Sequence, residues 1–415
     1  MIRLKDGGTK SPDAYLQDAI SIAEYYGFSS LDGIARLPGR RTGHKDTSKN
    51  SGVPAKIENE ISFARRDERT LPAAARKCLV RMDPSQGTLL AWRIVTSAGM
   101  YPSVSLELHV LGTPNTIAEA LLIIVAGAIA QEAGVKDRVV LINNIGSAES
   151  SGRYIRDVGL YLRKHIESIS PTLRPRAAID PLGTLVQLIE RGHPAVPRAP
   201  QAMEYLTEEE RSRFWELLEY LEAFGLPYEL NGQILGSRDC WSHSLFEISQ
   251  VDPATGLRAP VAFGGRYDPL ISRMARTPRS AAMVSVTYEN PVGAKTISQA
   301  RPQPERIVPM IYFAHLGGMA RQRSLGILEN LRQADIHVHH SLWHDRMSEQ
   351  MDRANAFGVP YILILGHKEA SEGTIIVREM ATNSQNAVPI GDLVGYLKRH
   401  RTITRPRVLA EPFNR

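Results

Sequence analysis

Residues 262–270 read Ala-Phe-Gly-Gly-Arg-Tyr-Asp-Pro-Leu, so two glycines, a guanidinium, a phenol and a carboxylate follow an apolar run. Taken by itself, the stretch makes a tight turn at Gly264 and Gly265, with Arg266 paired to Asp268 at the surface. A second concentration is His337, His339, His340 and His344, of which His337 and His339 share a strand face at a spacing that can hold zinc. No cysteine joins them and Asp345 is the nearest carboxylate, so these histidines are expected to be unliganded. His315, just before Gly317-Gly318, reads as turn chemistry. The clearest basic run is the tail from Lys398 to Arg415, which reads as a solvated end.

The elements that carry these groups follow from periodicity. Tyr15, Ala19, Ile20, Ile22 and Ala23 lie at helical spacing and the pattern closes at Gly27. Residues 38–59 are polar and read as a loop, with order resuming near Ile61. Val104, Leu106, Leu108 and Val110 alternate, which predicts a half-buried strand. A helix over 116–133, a strand over Val139–Asn143 and a mostly helical stretch from 150 to 225 come next. Within that stretch Trp215, Leu217, Leu218, Tyr220 and Leu221 mark an apolar helix ending at Gly225. Leu245–Ile248 and Ala259–Phe263 read as strands. Residues 298–304 crowd Gln, Pro and Arg together like a linker, and strands and helices then alternate from Ile307 to Arg399. That alternation predicts a small α/β domain with a largely parallel sheet. The chain is expected to divide into residues 1–300, with a helical insertion over 150–225, a second domain over 307–400 and a basic tail over 401–415.

Composition narrows the class. A chain of 415 residues with 43% hydrophobic content can bury more than one core. Its 50 Lys+Arg against 44 Asp+Glu leave +6, too mild to identify a nucleic-acid partner. Cys78 and Cys240 are too few for a disulfide framework, and a polar residue comes early at the N-terminus, so the expected location is cytoplasmic. The apolar run Ala120–Ala130 is shorter than a bilayer-spanning helix, which argues against membrane insertion.

In order and type, several stretches resemble class II histidyl-tRNA synthetases over nearly the whole chain. Gly358-Val-Pro-Tyr-Ile-Leu-Ile-Leu-Gly366, Glu369 and Gly373-Thr-Ile-Ile-Val377 are similar to the anticodon-binding domain of that family. Asp83-Pro-Ser-Gln-Gly-Thr-Leu-Leu-Ala-Trp-Arg93 is similar to its Arg-Pro-Glu-Gly-Thr segment with a downstream arginine. Asp239 and Phe246-Glu247 fall where a Leu-Asp-Tyr-Tyr motif is expected, and Gly264 to Asp268 resemble its glycine-rich loop.

The resemblance implies an antiparallel class II synthetase-like sheet domain with a helical insertion, followed by an anticodon-binding-like α/β domain, and a homodimer. It implies attack of a histidine carboxylate on the α-phosphate of ATP, with arginines and Mg²⁺ stabilising the charge, and then transfer to tRNA. It places Gln86, Thr88, Asp239, Arg266 and Tyr267 at a small amino-acid-like ligand, where the glycines let backbone approach closely. Arg346, Arg353 and Arg378 become candidate RNA contacts. The departures concern catalysis. Gln86 replaces an ammonium-binding glutamate, Gly236 stands where an arginine is expected, and Glu289-Asn290 replaces Glu-Arg. Only Ile94–Ser103 separates Arg93 from the next strand, so most of the family's arginine-bearing strand–loop–strand is expected to be missing. Arg238 is the nearest replacement cation, on another strand face. These losses together predict a protein that binds tRNA, a small ligand or a protein partner but is impaired in histidine activation; the alternative is an active, divergent histidine–tRNA ligase using ATP and Mg²⁺.

Overall fold

A computed structural model describes residues 1–2, 12–31, 63–82, 87–97, 103–289, 307–400 and 407–408. Helix α1 (Pro12–Tyr25) turns Leu16, Ala19, Ile20 and Ala23 inward and stops at Gly27, where φ is +87°. Strand β1 (Ser29–Ser30), helix α2 (Phe63–Arg81) and the hairpin β2 (Leu89–Ser97) and β3 (Ser103–Leu111) follow. Helix α3 (Ile117–Glu132) is apolar all round, and every residue from Ile117 to Ala130 is buried, as expected of a helix enclosed on all sides. Next come β4 (Arg138–Asn144), α4 (Ala148–Lys164), α5 (Arg174–Ile179), α6 (Pro181–Glu190) and α7 (Glu208–Phe224). Strands β5 (Tyr228–Leu230), β6 (Ser242–Val251) and β7 (Arg258–Arg266), helix α8 (Asp268–Ala275) and strand β8 (Ala281–Glu289) complete this part.

The eight strands pair in the order β1-β2-β3-β8-β7-β6-β4-β5. The inner six are antiparallel, while β1 and β5 add to the edges in parallel, so the sheet is mixed at its margins. One face packs on α1, α3 and α7. The other is covered by α2, α4, α6 and α8, whose Leu71, Val158, Leu185 and Leu270 join Ala91, Leu141 and Phe263 in one cluster. This second cover corrects the reading of Val104–Leu111 as half-buried: Glu107, His109 and Leu111, on the side opposite the apolar quartet, are buried as well.

Residues 307–400 build a second sheet from β10 (Ile311–His315), β11 (Val338–His340), β12 (Tyr361–Leu365), β13 (Thr374–Glu379) and β14 (Gln385–Pro389); before it, β9 (Ile307–Val308) pairs with β15 (Arg407–Val408). Helices α9 (Gly318–Gln333), α10 (Met347–Phe357), α11 (His367–Glu372) and α12 (Leu393–Arg399) connect and cover it. The order is β11-β10-β12-β13-β14. Two neighbouring pairs are parallel and two antiparallel, which corrects the expectation of a largely parallel sheet. Strand β14 has no apolar alternation because it is an edge on which only Val388 is buried.

The two sheets are joined through side chains. Tyr26 Oη donates to Glu329 Oε2 at 2.5 Å, Tyr25 Oη donates to the Ile336 carbonyl at 2.8 Å, and Gln322 Nε2 donates to Glu219 Oε2 at 2.7 Å. The polar stretch 38–59 and the Pro-rich segment 298–304 lie outside the described residues. Among the described residues no helix is long and apolar enough to cross a membrane.

Candidate functional site

The alternation that sends Val104, Leu106, Leu108 and Val110 toward α3 sends Glu107 and His109 to the opposite face, beneath α2. Both are fully enclosed, so each requires partners. Arg93, from the middle of β2, donates through Nε to Glu107 Oε2 at 2.6 Å and through Nη2 to the Thr70 carbonyl at 3.3 Å. His109 Nε2 lies 3.3 Å from the same Glu107 oxygen, and its Nδ1 lies 3.2 Å from Tyr267 Oη. A carboxylate only accepts, so the consistent tautomer donates from Nε2 to Glu107 and accepts the tyrosine hydroxyl at Nδ1.

The electrostatics follow from burial. Burial, the largest influence on His109, outweighs Glu107 and holds the imidazole below its ordinary pKa. Burial alone would raise the Glu107 carboxyl, but the His109 hydrogen bond and the Arg93 charge bring it below the usual carboxylate value. Burial pushes the Cys78 thiol up to about 12, so it is inert as a nucleophile at neutral pH. The floor of the sheet thus holds one ion pair, one neutral imidazole and one neutral phenol, each satisfied by its neighbours. Glu107 and His109 do not figure among the residues the motifs single out. The signal for them is an acid and a base two apart on one strand face.

Arg266 departs from the surface pair its sequence suggests. It is fully buried and grips Glu119 of α3 in a bidentate pair of the kind that recognises carboxylates strongly. Its Nε donates to Oε1 at 2.8 Å and its Nη2 to Oε2 at 2.5 Å. The remaining N–H groups reach the Thr113 and Asn115 carbonyls at 3.3 Å and Asp268 Oδ1 at 3.5 Å. Tyr267, one residue on, meets His109 on the α2 side of the sheet. The two glycines are not a turn either, since both lie within β7. A Cβ at Gly264 would come 2.3 Å from the Met283 carbonyl oxygen, and one at Gly265 would come 2.6 Å from Leu245 Cδ2. Close strand packing therefore demands glycine here.

Arg238 and Asp239 are brought together elsewhere. They are exposed and line a cavity of about 630 Å³ whose walls are Ile155 of α4, Ile179 of α5, and Leu182 and Val186 of α6. Arg238 Nη1 lies 3.9 Å from where a Cβ of Gly152 would stand, so this helix glycine leaves the guanidinium room. Gly236 lines the same cavity but has no space for a side chain: a Cβ there would meet Trp241 Cδ1 at 2.5 Å. Trp241 is buried and packs edge-on against Phe263, with centroids 5.6 Å apart. Thr88 is half-buried ahead of β2, and Gln86 lies outside the described residues.

The β2–β3 pair carries Arg93. Register pairs run from Leu89↔Leu111 to Ser97↔Ser103, with Arg93 on the first strand. Residues 98–102, between the two strands, lie outside the described residues.

In the second sheet, Arg346 precedes α10, its side chain 81% exposed and 3.8 Å from Glu349. Arg353 is half-buried on α10, and Arg378 Nη2 donates to Asn383 Oδ1 at 2.6 Å in the β13–β14 turn. Among the described residues no group of three or more His, Cys, Asp or Glu is placed to hold a metal ion.

Residues 314–400 match the family described as anticodon binding domain. The histidine–tRNA ligase of Thermosynechococcus vestitus is 28% identical over 299 residues, covering 72% of this chain and 69% of that protein. Histidine–tRNA ligase 1 of Shouchella clausii is 25% identical over 315 residues, 75% of this chain and 73% of that one. The crystal structure of apo S. aureus histidyl-tRNA synthetase aligns over 79% of this chain and 81% of that one, with 19% identity and a TM-score of 0.42.

Proposed function

We infer from a chain that belongs to the histidyl-tRNA synthetase family a role in binding tRNA and a small amino-acid-like ligand, with histidine activation suppressed. The observation that carries this reading is at position 236. The family pattern expects an arginine there, and in this fold the Trp241 indole takes the space its side chain would enter. Arg93 lies on β2, and its guanidinium is held by Glu107 and Thr70.

ATP with Mg²⁺ fits this floor poorly, because the strand arginine is already neutralised and position 236 supplies no cation. Without preorganised cations at the developing phosphoryl charge, each missing donor costs about 10²- to 10³-fold in rate. Ground-state binding does not require those cations, so it can persist without turnover. In this reading Arg238 and Asp239, at the open cavity, contact a ligand, Gln86 and Thr88 remain proposed contacts on the resemblance alone, and Arg266 and Tyr267 act from within the core.

The proposed division is a synthetase-like domain over 1–300, an anticodon-binding-like domain over 307–400 that uses Arg346, Arg353 and Arg378 on RNA, and a basic tail over 401–415. The proposed assembly is a homodimer, for which a monomeric mass by light scattering at micromolar concentration is the adverse result. ATP–pyrophosphate exchange across the twenty amino acids tests the central reading. Exchange at background with every amino acid, alongside retained tRNA binding in a gel shift, is expected. Histidine-dependent exchange at roughly 1 to 10³ per second would establish the active ligase instead, with Arg238→Ala as the first variant to examine.

A further inference from the structure

In the second sheet β10 precedes β11 and β12 in the chain yet lies between them in space: α9 carries the chain to β11 on one side, and α10 returns it to β12 on the other. Connections that leave a parallel sheet in opposite directions open a crevice beyond the carboxyl ends of the strands, where open α/β sheets bind ligands. The Leu316 amide donates to the Leu365 carbonyl at 2.9 Å, just past the paired ends of β10 and β12. Beyond it the chain runs Gly317-Gly318 into α9. Gly317 has φ +93°, and no atom lies within 4 Å of a Cβ added at either glycine, so the ground in front of the helix is open.

Helix α9 is 16 residues long and no side chain caps its N-terminus. Its first amides therefore point outward without an intrahelical acceptor, an arrangement that attracts anions. A buried side chain without a partner lies beneath that end. Along β10, Ile311 and Phe313 pack with Ala320, Leu325 and Leu328 of α9, while Tyr312 and Ala314 pack with Ala354 of α10. The same alternation sets His315 on the α9 side, at the strand end under the first turn. It is 1% exposed, and neither ring nitrogen has a hydrogen-bond partner. The Leu342 backbone lies near enough to bias the ring but not in hydrogen-bonding geometry. Burial, reinforced by the Arg321 charge, pulls its pKa down to about 4, so at neutral pH it offers an N–H and a lone pair. Arg321, in the first turn of α9, also has an unpartnered Nε, while its guanidinium otherwise meets the Tyr220 hydroxyl and, through Nη2, Asp345, whose side chain is 59% exposed.

We propose that this crevice, formed by the α9 amides behind Gly317-Gly318 with His315 and Arg321, binds a phosphate group. A tetrahedral oxyanion presents enough acceptors for the helix amides, an imidazole N–H and a guanidinium together. Leu316 and Met319 are 44% and 41% exposed beside the glycines, leaving apolar surface for the organic part of a phosphate ester. The phosphate belongs either to a free ester or to an RNA backbone. The site does not depend on whether the chain activates histidine.

The test is titration of the full-length ¹⁵N-labelled protein with inorganic phosphate, adenosine 5′-monophosphate and a ten-nucleotide RNA in turn, following the His315 ring nitrogens and the Gly318 amide. Saturable shifts are expected with at least one probe, weakened at least about tenfold in Arg321→Gln and His315→Gln. Response to the small probes identifies a free phosphate or ester, and response to RNA alone identifies a backbone phosphate. Gly318→Val adds a side chain where the structure has open space, so it keeps the fold and should block the approach. Absence of any His315 shift with all three probes, or unchanged affinity in all three variants, overturns the site.

Discussion

Gly236 and Trp241 share one space. Placing an arginine at 236 would drive its Cβ to 2.5 Å from the indole, and Trp241 is fully enclosed against Phe263. Gly236→Arg is therefore expected to lower stability by about 1–3 kcal/mol, the usual range for overpacking, and to leave exchange at background. A melting curve unchanged from the parent would show that the indole can move aside. Glu119 offers a stronger case at the same scale, because it neutralises a guanidinium with no exposure to water. Glu119→Gln leaves Arg266 charged and half-partnered, and breaking a buried pair in this way costs about 3–5 kcal/mol, to be read from urea denaturation; a loss under about 1 kcal/mol would mean that water reaches the pair. Neither arrangement is legible from residue types. The sequence shows that Arg266 and Asp268 are near neighbours, but the stronger partner lies 147 positions away on α3, and only the tertiary fold selects it.

Elements with their own periodicity are the legible part of the fold. Helix α1, the enclosed α3, β12 and the glycine stop of α7 all follow from local spacing, and Gly225 does adopt the left-handed conformation, φ +74°. What escapes is the partner of each face. Helix α2 carries many charges and a proline, Pro72, so its sequence does not advertise that it covers the sheet above Glu107 and His109. The head of α7 is legible in type but not in reach. Thr207 and Glu210 form a capping box, which satisfies two of the helix's free amides. The Glu210 carboxylate also accepts from the Ser147 amide at 2.6 Å and from Ser150 Oγ at 2.7 Å, fastening α7 to α4. Burial acts to raise this carboxyl, but the Ser150, Thr207 and Ser147 hydrogen bonds outweigh it and hold its pKa at about 2. The folded value lies below the unfolded one, so the stabilisation is complete above the ordinary glutamate value of about 4.3. It is lost as pH falls toward the folded value. The excess stability of the parent over Glu210→Gln, followed by thermal melting from pH 6 to pH 3, should accordingly shrink below about pH 4.3; a constant difference would show that the charge contributes nothing.

At the scale of the whole molecule, the two sheets are coupled and the positive charge is thinly spread. Tyr26 Oη and Glu329 meet within the core, and one hydrophobic cluster continues from α1 and α7 into α9. The parent should unfold in a single calorimetric transition, and Tyr26→Phe, which removes one bond to a charged acceptor worth about 1.5–3 kcal/mol, should lower its midpoint without splitting it. Two separate transitions in the parent would refute the coupling. The charge distribution sets the last expectation. A net charge of +6 spread over 415 residues does not make a general polyanion surface, and the exposed Arg346 already faces Glu349. If Arg346, Arg353 and Arg378 supply the phosphate contacts, three neutralised phosphates predict that log K for tRNA falls with log salt at a slope of about −2 to −3. Replacing all three with alanine should bring that slope close to zero while leaving ATP–pyrophosphate exchange unaffected. A parental slope nearer about −6 that persists in the triple variant would move the interface to the other concentration of positive charge in the chain, the run from Lys398 to Arg415, because among these alternatives only that tail has enough cations to account for it.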